Sequence, residues 1–593
     1  MRLFDKYLQS VKELPEHELE RFCSDIRSFL IHNLSKTGGH LASNLGVVEL
    51  TVALHRAFDT SRDRIVFDVG HQCYTHKLLT GRKDGFANLR ALGAMSGFPK
   101  PSESVHDAFV AGHASTSVSV ALGMARARSL LNQTYRCIAV LGDGALTGGL
   151  AYEGLNDAGQ SGEPLIVILN DNGMSIKKNV GGIARHLSRL RLKPQYFRAK
   201  HITHKLLDPL PGGKAIGRAI HRGKEMVKDA LIPGSLFSHM GFEYLGPADG
   251  HDVKKITYLL RRAAAMKKPV LIHLVTQKGR GYAFSERNPS AYHGVQQFHI
   301  RSGEAVGGGK PSFARCFGET LVELAEADRR VVAVTAAMQS GTGLDLFAQR
   351  FPKRFFDVGI AEGHAVTMAA AMAKQGLRPV VALYSTFLQR SYDQLVHDVA
   401  LQKLPVVFAV GHAGLSGEDG ETHHGVFDPL FISSIPHMAL WAPATFSELR
   451  EMLSRALSYD GPVAIRYPKG SEGEDTAPLP SGRDATIVTY GAMTKIALEA
   501  AGNLERQGVS AGVVKISSLK PLEDIEPLCS GAVFILEDNP GYLCHRMDGV
   551  PLNTGDRFIP HGTMEELLAY CHLDAVSVAA AISESLEAGR KYG

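Results

Sequence analysis

The sequence predicts an α/β protein of three domains, each a mostly parallel sheet flanked by helices. Three observations carry this. Short β-branched runs alternate with Ala- and Leu-rich stretches along the whole chain, which is the mark of strand–helix–strand units. Two polar stretches rich in Gly, Pro and Ser, IRSGEAVGGGKPS (300–312) and KGSEGEDTAPLPSGRD (469–484), read as linkers. The length of 593 residues exceeds the roughly 250 to 300 residues over which one core grows. The expected domains are therefore residues 1–305, 312–472 and 484–593.

Taken in order, RIVFDVG, CIAVLGDG, LIVILND and PVLIHLVT are the strands expected in the first domain. RVVAVTA, FFDVGIA, VVALYS, PVVFAVG and VAIRYP follow in the second, and alternation resumes from TIVTYGA onward. Residues 177–207 are rich in Lys and Arg and contain no acid between Ile176 and Leu207. They read either as a solvated surface excursion or as a basic flap near an anionic ligand.

Composition narrows the class. Hydrophobic residues at 44%, charged at 21% and aromatic at 7% describe a soluble α/β enzyme rather than a disordered or fibrous chain. A net charge of +5 is small for this length and implies no nucleic-acid partner. The seven cysteines are scattered without a C-x-x-C pair, which suits neither a zinc site nor a disulfide framework and points to a reducing, cytoplasmic setting. No apolar targeting core opens the chain, and no stretch reaches about 18 uninterrupted apolar residues, so no membrane partner is expected.

The chemistry gathers at two strand ends. Gly-Asp-Gly (142–144) closes one apolar run and Asn-Asp-Asn (170–172) closes the next, separated by roughly the 30 residues of a strand–helix–strand unit. Ligands of open parallel sheets bind where such carboxyl ends diverge. Asp143 and Asn172 then offer hard oxygens suited to Mg²⁺, an ion that completes its shell with water and phosphate oxygens. A Gly-Asp-Gly by itself is also an ordinary turn around an Asp.

These motifs stand among others: GGHLASNLGVVELTVALH, FDVGHQCYTHKLLTGR, AGHASTSVSVALGMA, GPADGHD, KGRGYAFSERNPSAYH, IAEGHAV, LYSTFLQRSYDQ, HDVALQKLPV, GEDGETHHGVFD and RYPKG. In this order, from about residue 35 to 470 and more faintly beyond, the chain resembles the 1-deoxy-D-xylulose-5-phosphate synthase family of thiamine diphosphate enzymes, whose domains have the transketolase-like fold. The resemblance implies that Asp143, Asn172 and the Met174 carbonyl hold Mg²⁺ against the cofactor diphosphate. It places Gly112, His113, Ala114, Gly144 and Ala145 along that diphosphate, with His71 and Tyr282 nearby. Ile176 would support the bent middle of the cofactor and Phe387 would stack on its aminopyrimidine, although an Ile or a Phe is equally a core residue.

Glu362 reads alone as an acid in a helix first turn; the resemblance makes it the partner of the pyrimidine N1′. His40, His293 and His423 match active-site histidines suited to moving protons near neutral pH, and Arg90 and Asp419 match a pair that helps close the site. Tyr384, His412 and Arg466 would face the acceptor substrate. His412 stands where the family has an arginine, exchanging a permanent bidentate charge for a partly charged imidazole. Gly363, Pro101 and Val105 also depart from the family pattern. The implied reaction condenses pyruvate with D-glyceraldehyde 3-phosphate, in a homodimer with both halves of one chain building each site. A transketolase-like carboligase with another acceptor, or a non-catalytic cofactor-binding paralogue, remains an alternative on sequence alone.

Overall fold

A computed structural model describes residues 3–177, 179–191, 235–307, 311–472 and 479–592. The chain divides into two compact units, Met1–Ala87 with Gly97–Val306, and Asn88–Ser96 with Gly307–Gly593.

Among the described residues the first unit holds five strands, β1 (Arg64–Phe67), β2 (Cys137–Gly142), β3 (Ile166–Asp171), β4 (Glu243–Asp249) and β5 (Val270–Val275). They form one parallel sheet in the order β1-β2-β3-β5-β4. The inner strands CIAVLG, IVILND and VLIHLV are buried almost throughout, as expected where helices cover both faces of a parallel sheet. β2 and β3 are neighbours, with Gly142 opposite Asn170, and the helix Gly149–Ser161 makes the crossover. The two motif-bearing strand ends therefore lie side by side.

Among the described residues the second unit contains two sheets. β6 (Val331–Thr335), β7 (Phe355–Asp357), β8 (Arg378–Tyr384), β9 (Val407–Gly411), β10 (Ala439–Trp441) and β11 (Val463–Arg466) run parallel in the order β10-β11-β9-β8-β6-β7. β12 (Ala485–Tyr490), β13 (Ala511–Ile516), β15 (Ala532–Leu536) and β16 (Val550–Leu552) form a parallel sheet ordered β13-β12-β15-β16. The short β14 (Ser518–Lys520), from the C-terminal stretch, joins the larger sheet as an antiparallel edge beside β10. Like β4 and β10, it carries no run that the sequence reading marked as a strand.

Of the basic segment, Gly181–Arg191 is a helix with Leu187 and Leu190 buried; residues 192–207 lie outside the described residues. The stretch Met564–Ala588 has the length and composition of a membrane-crossing helix. It is two helices, Met564–Tyr570 and Ala575–Tyr592. Their buried side chains Leu567, Val578, Ala579 and Ile582 share one core with the strand residues Ile487 and Phe534.

Candidate active site

In the first unit the loops after β2 and β3 are tied together. Gly173 N–H donates to Asp143 Oδ2 at 2.7 Å, and Met174 N–H donates to Asn172 Oδ1 at 3.0 Å. Gly173 sits at φ +75°, where a side chain would be strained. Gly144 is needed for proximity, because a Cβ there would come within 2.7 Å of Ser175 Cβ. A third loop joins them: Asp68 accepts from the backbone N–H of Ser115 (2.7 Å) and Ser117 (3.0 Å), while Ser115 Oγ donates to the Ala145 carbonyl at 2.8 Å. This draws Gly112, His113 and Ala114 towards Gly144 and Ala145.

Beside these loops three histidines cluster. The ring of His71 lies 5.4 Å from His40 and 5.0 Å from His293, and His40 lies 5.8 Å from His293. Asn44, fully buried, donates to the carbonyls of both His40 (2.6 Å) and His71 (2.8 Å) and accepts from Tyr74 N–H. Lys278 Nζ donates to His293 Nδ1 at 3.1 Å and to the Ser175 carbonyl. Burial pulls the Lys278 ammonium down to about 8, against the opposing charge of Asp143. Ile176 is half-buried, its carbonyl accepting from Ser290 Oγ. Tyr282 donates its hydroxyl to the Ile300 carbonyl at 2.9 Å and packs among Phe284, Tyr292 and Phe298.

The second unit presents its groups at the carboxyl ends of parallel strands. Glu362 opens the helix that follows β7, Tyr384 ends β8, and His412 follows β9. Burial raises the Glu362 carboxyl above its ordinary range, and the Arg390 guanidinium 3.6 Å away pulls it back. Tyr384 stacks on His412 at 3.7 Å between ring centres and on Phe387 at 5.9 Å, and His423 meets Phe387 edge-on at 5.6 Å. Arg90 Nη2 donates to Asp419 Oδ1 at 2.8 Å. Burial lowers His423, with Asp419 opposing. Its neighbour His424 is committed elsewhere: Nδ1 accepts from Ser416 N–H and Nε2–H donates to the Pro560 carbonyl.

Three family profiles match this chain. Residues 5–276 match 1-deoxy-D-xylulose-5-phosphate synthase, 309–473 the transketolase pyrimidine-binding domain and 475–540 the transketolase C-terminal domain. The 1-deoxy-D-xylulose-5-phosphate synthase of Clostridium kluyveri (strain NBRC 12016) is 46% identical, covering 97% of each chain. The chain belongs to the 1-deoxy-D-xylulose-5-phosphate synthase family. The synthases of Carboxydothermus hydrogenoformans (47% identical, over 94% of this chain and 95% of its own) and Desulforudis audaxviator (49%, over 90% and 87%) agree. A member of this family is a thiamine diphosphate-dependent transferase of transketolase type, serving isoprenoid biosynthesis.

Two residues expected at the acceptor substrate have surroundings that the sequence did not show. His412 was expected to be partly charged at neutral pH, yet burial, reinforced by the Lys469 and His423 charges, takes it down to about 3. The imidazole lies against Tyr384, and its burial disfavours the charged form. Arg466 was expected at the acceptor phosphate, yet it is 4% exposed. It donates through Nε to Asp428 Oδ2 at 2.8 Å, with Asp538 3.6 Å from Nη2. The guanidinium is thus internal and countered by two carboxylates.

Sequence reasoning missed Lys469, three residues on. Its Nζ lies 3.2 Å from the Ser416 carbonyl and 3.5 Å from Glu418, on the side chain's half-exposed end, and its charge bears on both His412 and His423. It missed Asn44, Lys278 and Arg390 as well. All four lie inside quoted motifs or beside them, so position was the available signal; their contacts were not.

Proposed function

We infer that the chain decarboxylates pyruvate and joins the remaining two-carbon unit to D-glyceraldehyde 3-phosphate, giving 1-deoxy-D-xylulose 5-phosphate and CO₂. The observation that carries this reading is the buried Glu362 carboxyl beside Arg390, at the start of a helix in a chain of this family. Thiamine diphosphate, when bound, supplies the electron sink that stabilises a carbanion. Glu362, poised by burial to gain or lose a proton, holds a hydrogen bond at the pyrimidine N1′.

The donor set fits a hard cation: one carboxylate (Asp143), one amide oxygen (Asn172) and the Met174 carbonyl. A partial oxygen set of this kind suits Mg²⁺, which completes its shell with phosphate and water oxygens. His40, His71 and His293 serve as proton-handling groups beside Lys278. His113 and Gly112 line the diphosphate with Ala114, Gly144 and Ala145, Ile176 supports the bend, and Phe387 stacks on the aminopyrimidine. His423, edge-on to Phe387, accepts or donates a proton at the substrate. Asp419 holds Arg90 at the entrance, and Tyr384 lines the acceptor side.

Because burial disfavours the charged form of His412 and Arg466 is internal, Lys469 takes the acceptor phosphate. The protein works as a homodimer; Tyr392, Val396 and Leu401 are 41%, 37% and 71% exposed and would be covered by a second copy. Seven free cysteines fit the reducing cytoplasm. Product analysis by mass spectrometry with pyruvate and a panel of phosphorylated and unphosphorylated aldehydes tests the reaction. A five-carbon product only from the triose phosphate is expected; equal use of an unphosphorylated acceptor would overturn the acceptor assignment.

A further inference from the structure

Asp171 ends β3, immediately before Asn172, and is fully buried. A carboxylate among Val, Ile and Leu is costly unless partnered, and its partners come from the next two strands. His273, in the middle of β5 and also fully buried, places Nε2 3.0 Å from Asp171 Oδ2. Tyr244 on β4 places its hydroxyl 2.8 Å from His273 Nδ1. The carboxylate accepts only, so Nε2 carries the proton and Nδ1 accepts from the phenol. The chain of donors thus runs Tyr244 to His273 to Asp171 across β4, β5 and β3. Behind it Phe237 stacks on Tyr244, rings 6.2 Å apart and 2° from parallel.

The relay ends on the cation loop. Asp171 Oδ1 is 3.3 Å from the Gly173 N–H, the same N–H that meets Asp143 Oδ2 at 2.7 Å. With Oδ2 held by His273, Oδ1 faces that N–H, at the turn bearing Asn172 and the Met174 carbonyl. We propose that Tyr244, His273 and Asp171 are positioning residues for the divalent cation, a role that rests on the reading of Asp143 and Asn172 as its ligands. Packing alone asks for no His in the middle of β5, where the positions on the same face are Leu271 and Val275.

The test titrates MgCl₂ calorimetrically into the cofactor-free full chain with thiamine diphosphate in excess, and measures the melting temperature of the same protein without metal. Tyr244→Phe keeps the ring on Phe237 and deletes only the donor; His273→Asn breaks both links. Partners behind metal ligands typically contribute about 10- to 100-fold in affinity. The Mg²⁺ Kd should therefore rise about that much in His273→Asn and several-fold in Tyr244→Phe, with a loss of metal affinity beyond any fall in metal-free melting temperature. A Kd within about twofold of the unaltered chain in Tyr244→Phe overturns the proposal, and that variant decides alone if His273→Asn does not fold. Asp143→Ala separates the two readings. If it keeps Mg²⁺, the ligand assignment itself fails; if it loses Mg²⁺ while the relay variants bind normally, only the relay fails.

Discussion

Replacing Arg466 by Met distinguishes an internal ion pair from a substrate ligand. The guanidinium is 4% exposed, 2.8 Å from Asp428 and 3.6 Å from Asp538, and Asp428 is fully buried. Removing one partner of a buried pair costs about 3–5 kcal/mol, because the other charge is left without its counterion. Burial already raises the Asp428 carboxyl, and without Arg466 it rises further, so the folded variant keeps a proton that the unfolded chain releases. Unfolding is then favoured as pH rises, and the loss should be larger at pH 8 than at pH 5. Urea unfolding of Arg466→Met across this range measures it, with steady-state kinetics alongside. Asp428→Leu added to Arg466→Met should recover much of the loss, since a shape-matched apolar pair carries no stranded charge. Unaltered stability with a tenfold or greater rise in KM for glyceraldehyde 3-phosphate would refute the burial argument and return Arg466 to the substrate.

Lys469→Gln should raise KM for glyceraldehyde 3-phosphate about tenfold or more, the value of roughly 1.5–3 kcal/mol for a charged hydrogen bond, and leave pyruvate unaffected; an unchanged KM removes Lys469 from the acceptor site. Glu362→Gln should still bind thiamine diphosphate but exchange its C2 proton far more slowly by NMR, because an amide cannot take up the N1′ proton; normal exchange denies Glu362 that role. Asp143→Ala should lose cofactor affinity by calorimetry while keeping its circular dichroism spectrum, and undiminished binding would dismiss Asp143 as the cation ligand. His55, His76, His412, His423 and His424 are all held below the ordinary histidine value by burial. Unfolding takes up protons once pH falls below about 6.5, so stability should be complete above that value and decline progressively beneath it; a melting temperature that is flat from pH 7 to pH 5 contradicts this.

The sequence by itself determined what depends on local pattern. Parallel-sheet strands buried on both faces must be near-continuous apolar runs, so CIAVL and LIVIL could be read as strands and their polar ends as a ligand-facing edge. The positions of Asp143 and Asn172 at strand ends and of Glu362 at a helix start were legible because such ends are set by neighbours along the chain. β4, β10 and β14 were not, for short or interrupted strands owe their state to pairing partners far away in sequence. The same distance hid the chemistry of the side chains. Nothing local to His412 says that Tyr384 will lie on its face or that burial will disfavour its charged form, nor that Asp428 will draw Arg466 inward and leave Lys469 as the outward cation. Charge state and direction depend on desolvation and on groups brought close only by folding, and those the tertiary structure alone decided.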